Sequence, residues 1–150
     1  MISAVLYDTA KYVQRFKLYY PLTASNVHEF YYDPDLDELI FISDDNSLWC
    51  YEDVNNTVHC ISDNYKNISD DEYKKEFGRR LKKIMLKERI TQDDLTEKTG
   101  ISQCTVSKYV NGISVPSFIN AIKIADALHY SVDIFRLTNI INCNFLKGEL

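Results

Sequence analysis

With 150 residues, 45% of them hydrophobic, the chain has apolar side chains enough for one packed domain or two small ones. No apolar run nears the ~18 residues of a membrane span, and residues 1–10 lack the basic start and apolar stretch of a secretory signal. The formal charge of −5 is unevenly divided: residues 1–69 carry four Lys or Arg against eleven Asp or Glu, residues 70–137 twelve against ten. Only the second region suits a phosphate backbone; the first should avoid one, which leaves it open to a different partner. A cytoplasmic protein is expected, with Cys50, Cys60, Cys104 and Cys143 as free thiols.

Residues 1–20 are ambiguous. Val5, Leu6, Val13, Phe16 and Tyr20 fit one helical face, the tyrosines favour a strand, and Pro21 closes the element. Four β-branched and aromatic runs follow, at 28–32, 39–43, 48–52 and 57–62. Asp33-Pro34, Asp44-Asp45-Asn46 and Asn55-Asn56 interrupt them. This pattern predicts an antiparallel meander of three or four strands with another element against its apolar face. Its aromatic content, including Phe30, Tyr31, Tyr32, Phe41, Trp49 and Tyr51, leaves open a core with tyrosine rims or a surface for a protein partner. The chain then divides into a β-rich domain at 1–65, a polar linker at 66–71, a helical domain at 72–137 and a tail at 138–150.

From Glu72 the apolar period becomes helical. Tyr73, Phe77, Leu81, Ile84 and Met85 mark one face; Lys74, Lys75, Arg79, Arg80, Lys82 and Lys83 read as a solvated remainder. Thr91 with Asp94 suits a capping box for a second helix, with Leu95 inward. Gly100 permits the left-handed turn that ends it, and Ile101 plugs the core. Ser102 caps a third helix with Val106, Tyr109 and Val110 inward; Gly112 ends it. Pro116 leads into a fourth, with Ile119, Ile122, Ile124, Ala125 and Leu128 as its buried face. Ser131 caps a fifth containing Val132, Ile134, Phe135 and Leu137.

Thr91-Gln92, Leu95, Gly100, Ile101-Ser102, Thr105-Val106-Ser107, Asn111-Gly112, Pro116-Ser117 and Ile124-Ala125 with Leu128 together resemble the lambda-repressor-like, Cro-like (XRE) helix-turn-helix family, over roughly residues 77–137. Thr96 departs from it, standing where the family usually has alanine; residues 1–70 match nothing in it. The fold expected is α+β: a small antiparallel meander followed by a five-helix lambda-repressor-like domain.

The third helix would offer its N-terminal end to a major groove. Gln103, Cys104, Ser107 and Lys108 should face outward, with Thr105 near the start. Gln can pair with adenine, Lys can donate to guanine, and Cys104 can meet a thymine methyl. The resemblance further implies that Gln92 touches a phosphate at a helix N-terminus and that Asn111 and Ser114 meet the backbone. It implies double-stranded DNA as the partner and a homodimer on a palindrome, with Ile140, Ile141, Phe145 and Leu146 of the tail packing on their own domain or forming the dimer seam.

The functional expectation is a repressor of the phage or mobile-element sort. The alternative is an antitoxin-like or anti-CRISPR-like protein whose N-terminal domain neutralises a partner while the helix-turn-helix represses its own operon. A third reading is a helix-turn-helix serving only as a protein scaffold.

No P-loop, dinucleotide turn, Gly-x-Ser-x-Gly or His-Glu-x-x-His motif is found, so no catalytic residue or cofactor is expected. Zinc on His28, Cys50, His59 and Cys60 is disfavoured, because His59 and Cys60 are strand neighbours and should point apart. A Cys50–Cys60 disulfide is disfavoured by compartment. The acids Asp33, Asp35, Asp37 and Glu38 lack the spacing and glycine of a calcium loop and read as a solvated turn.

Overall fold

The computed structural model describes residues 27–33, 35–43, 45–52 and 57–135. The expectations for residues 1–20, for Leu137, for Cys143 and for the tail with its dimer seam lie outside the described residues. The described chain forms two compact units that part between Ile68 and Ser69.

The first unit holds β1 (Val27–Asp33), β2 (Glu38–Ser43), β3 (Leu48–Glu52) and β4 (Thr57–Ser62). They form one antiparallel sheet in the order β1-β2-β3-β4. Polar side chains make its turns. Asp33 Oδ1 accepts the N–H groups of Asp35 (3.0 Å) and Leu36 (3.3 Å), and Asp37 takes the left-handed conformation at φ 53°. Between β2 and β3, Asp45 accepts from the Ser43 hydroxyl and from the Ser47 N–H, and Asn46 is left-handed at φ 66°. Those bonds, the Ser43 hydroxyl first, hold the Asp45 carboxyl below its ordinary range.

All six residues of β2 are buried, so both of its faces are covered. Phe41 and Tyr51 are buried, and the Phe41 and Trp49 rings stack at 6.4 Å and 8°. Phe41 and Tyr51 therefore serve the core, while Trp49 stays half-buried on the Phe41 ring. The acidic turn departs from expectation too: Asp33 and Glu38 are buried, because Asp33 is consumed by backbone donors and Glu38 begins β2 on an inward face.

The second unit holds α1 (Asp70–Glu88), α2 (Gln92–Thr99), α3 (Gln103–Val110), α4 (Phe118–Leu128) and a 3-10 turn (Val132–Phe135). α1 begins inside the stretch read as linker. Ser69 Oγ accepts from the Glu72 N–H and Glu72 Oε1 accepts from the Ser69 N–H, so Asp70 and Asp71 already occupy the first turn. The expected fifth helix is only the 3-10 turn. Ser131 caps two residues on, at the Asp133 N–H (3.3 Å), and the Ile134 N–H bonds back three residues to the Ser131 carbonyl (3.1 Å).

Phe77, Leu81, Ile84, Leu95, Ile101, Val106, Ile124 and Leu128 form the core, and the Phe77 ring meets those of Tyr109 and Phe135. Ile119 was expected there and is 65% exposed. It stands five residues before Ile124, about 140° around the helix. Arg80 makes the opposite departure: expected in solvent, it is 1% exposed. Its Nε donates to Glu76 Oε1 (3.1 Å) and its Nη1 to the Ile134 carbonyl (3.0 Å), while Arg79 also pairs with Glu76. One buried carboxylate thus pairs with two guanidiniums, and Arg80 ties α1 to the 3-10 turn while its Nη2 stays buried with no hydrogen-bond partner among the described residues.

Candidate nucleic-acid interface

A protein that reads a groove needs a short, rigidly seated helix with one polar face left free. The local sequence builds one. Thr91 caps α2: its hydroxyl accepts from the Asp94 N–H (3.1 Å), and Asp94 Oδ2 accepts from the Thr91 N–H (2.9 Å). The Thr91 backbone bond, and then its side-chain bond, hold the Asp94 carboxyl below its usual range. α2 ends at Gly100, φ 74°, whose N–H reaches the Thr96 carbonyl at 2.8 Å. Ile101 is buried beyond the turn, and Ser102 accepts from the Thr105 N–H to start α3.

α3 is held from several sides. Val106, Tyr109 and Val110 are buried, and the Asn120 amide donates to the Tyr109 hydroxyl at 3.2 Å, fastening α4 to α3. Gly78 of α1 lies against the end of α3. A Cβ there would sit 2.8 Å from the carbonyls of both Tyr109 and Val110, so no larger residue fits. Nothing in the helical spacing singled out Gly78, since its contact lies about 30 residues away in sequence; an isolated glycine within a helical pattern was the one available signal.

The expected site residues fall as follows. Gln103, Cys104 and Lys108 are exposed, and Thr105 and Ser107 are half-buried. Gln103, Cys104, Ser107, Lys108 and Asn111 recur at the steps of one helical stripe, so α3 presents a continuous polar face opposite its buried one. Thr105 is engaged locally: its hydroxyl lies 2.8 Å from that of Ser102. Asn111 caps α3 and its amide donates to the Ser107 hydroxyl at 3.2 Å. Ser114 is half-buried and its N–H points to the Lys108 carbonyl at 3.4 Å. Gln92 is the first residue of α2, half-buried, where helical N–H groups are free to meet an anion. Thr96 carries a consequence the sequence understated: its hydroxyl is buried with no hydrogen-bond partner among the described residues.

Among the described residues, no helix is long and apolar enough to cross a membrane. Residues 81–135 match the family model of the helix-turn-helix (HTH_3). The match runs from within α1 to the end of the 3-10 turn and contains every residue of the α3 stripe. These residues therefore carry the lambda-repressor-like motif that the sequence resembles. Among solved structures, an HTH_3 family transcriptional regulator from Vibrio cholerae aligns at 25% identity with a TM-score of 0.43. The alignment covers 45% of this chain and 38% of that one, so well under half of the regulator is represented. No curated protein sequence matches the chain.

Proposed function

We propose that this protein is a sequence-specific DNA-binding transcription regulator, a repressor that occupies a palindromic operator as a dimer. The carrying observation is the α3 stripe: exposed Gln103, Cys104 and Lys108 on a capped helix whose other face is buried. In this reading Gln103 pairs with an adenine edge, Lys108 donates to guanine, and Cys104 meets a thymine methyl. Ser107 and Thr105 support the first turn. Gln92 holds a phosphate at the start of α2, and Asn111 and Ser114 meet the backbone after α3.

The dimer reading also has support. Ile113, Val115, Phe118 and Ile119 are 62%, 46%, 73% and 65% exposed, directly after α3. Large apolar side chains gathered beside a groove-reading helix suit contact with a second copy on the neighbouring half-site. Phe118→Asp is then expected to shift the protein from dimer to monomer in sedimentation and to weaken operator binding without altering base preference.

The test is a gel shift on DNA from immediately upstream of this protein's own gene, beside a Gln103→Ala/Lys108→Ala double variant. A specific shift lost in the variant supports the reading. No specific shift at low salt and micromolar protein removes it, and favours the neutralising-partner or scaffold functions.

A further inference from the structure

The sheet unit carries a second, unrelated constellation. Cys50 pairs with His59 across β3 and β4, and Glu38 pairs with Glu52 across β2 and β3. Successive strand residues alternate faces, so Glu38, Cys50, Glu52 and His59 share one face of the sheet. One ligand atom each from Cys50, Glu52 and His59 lies within 4.8 Å of the other two. Glu38 Oε2 accepts from the Cys50 thiol at 3.0 Å, and both residues are fully buried.

Cys50, Glu52 and His59 thus offer sulfur, oxygen and nitrogen donors close enough together to converge on one ion, with the Glu38 carboxylate against the thiol. We propose that Cys50, His59 and Glu52 bind a divalent transition-metal ion of the zinc class. Glu38 takes the proton that the thiol releases. The S–H bond breaks, an S–metal bond forms, and the proton passes through Glu38 to solvent; nothing is oxidised or reduced.

Sulfur and imidazole ligands select zinc-like ions over calcium or magnesium, which prefer all-oxygen sites. The objection that His59 and Cys60 point apart holds in the structure, where Cys60 pairs with Trp49 and is exposed. It removes Cys60 from the set and leaves Cys50 with His59. The ion would join β3 to β4.

The test uses the full chain and Co2+ as a spectroscopic probe. Thiolate ligation gives a sulfur-to-cobalt charge-transfer band in the near ultraviolet. Wild type and Cys60→Ser are expected to develop that band to one equivalent of Co2+ and to lose it on addition of Zn2+. Cys50→Ser should lack the band, and His59→Gln should bind at least ten-fold more weakly while keeping the strand content of wild type in circular dichroism. Should Cys50→Ser fail to fold, the His59→Gln titration decides alone. A folded wild type without the band, a His59→Gln variant that binds as wild type does, or a band that survives in Cys50→Ser but not in Cys60→Ser would each overturn the site. The Cys50–Glu38 contact would then be only a buried hydrogen bond.

Discussion

Both units bury charged side chains, and they gather the neighbours of those side chains in different ways. In the helical unit Glu76 stands between Arg79 and Arg80, so the ionic groups answer one another within a single helix turn and with the Ile134 carbonyl. In the sheet unit Glu38 lies against a thiol and opposite another glutamate, both drawn from a different strand. A helix brings i, i+3 and i+4 together and can pair charges within itself, whereas a sheet gathers residues distant in sequence and can assemble a ligand set. The helical unit therefore frees its exposed stripe for a partner, while the sheet unit keeps its chemistry inside.

The strongest way to break this comparison is to remove one member of the helical network. Arg80→Met removes one partner of Glu76, which Arg79 still pairs, and takes the Arg80 donor from the Ile134 carbonyl. With Glu76 still paired, the loss of the buried Ile134 carbonyl's donor should destabilise the helical unit by up to about 3 kcal/mol in urea unfolding. A change below ~1 kcal/mol would show that the network is not what holds α1 to the 3-10 turn. Next in size is Gly78→Ala. Its Cβ would press on the Tyr109 and Val110 carbonyls, and overpacking of this kind costs roughly 1–3 kcal/mol. Displacement of α3 should also weaken DNA binding beyond the stability loss.

Thr91→Ala removes the α2 cap and should cost ~1 kcal/mol. Its pH dependence sharpens the comparison, because turn or cap bonds lower a carboxyl in each unit, Asp45 in the sheet and Asp94 in α2. A lowered pKa stabilises above the unfolded value of about 3.9 and is lost as pH falls through the folded one. Acid should thus loosen the α2 cap below roughly pH 4 in wild type, and Thr91→Ala should flatten that dependence. Carboxyl titration by NMR checks both residues; an ordinary Asp94 value would contradict the capping box. The smallest effect has the opposite sign: Thr96→Ala deletes a buried hydroxyl without a partner among the described residues and should raise stability by ~1 kcal/mol.

What could be read from the sequence follows the same division. The caps at Thr91 and Ser102, the Gly100 turn and the inward Leu95 and Val106 depend on residues three or four apart, so spacing alone exposes them. Strand limits were legible for the same reason, since Asp and Asn mark each turn. The start of α1 at Asp70 was obscured because its acids resemble a polar linker until Ser69 is seen to complete a box with Glu72. Arg80, Gly78 and the Cys50–His59 pair were illegible because their partners lie in other elements: the Ile134 carbonyl, the end of α3 and the next strand. The α3 stripe needed only helical periodicity and a cap, so the candidate interface was legible where the buried polar groups were not.

The central claim is that the exposed face of α3 reads bases. Its most direct test is an equilibrium titration of wild type and Gln103→Ala on the operator and on the same site with single base changes, at fixed salt. Gln103→Ala is expected to lose roughly 5- to 150-fold discrimination at one adenine position, the worth of about 1–3 kcal/mol, with little change on unrelated DNA. An equal loss on every sequence, or none on any, would contradict it.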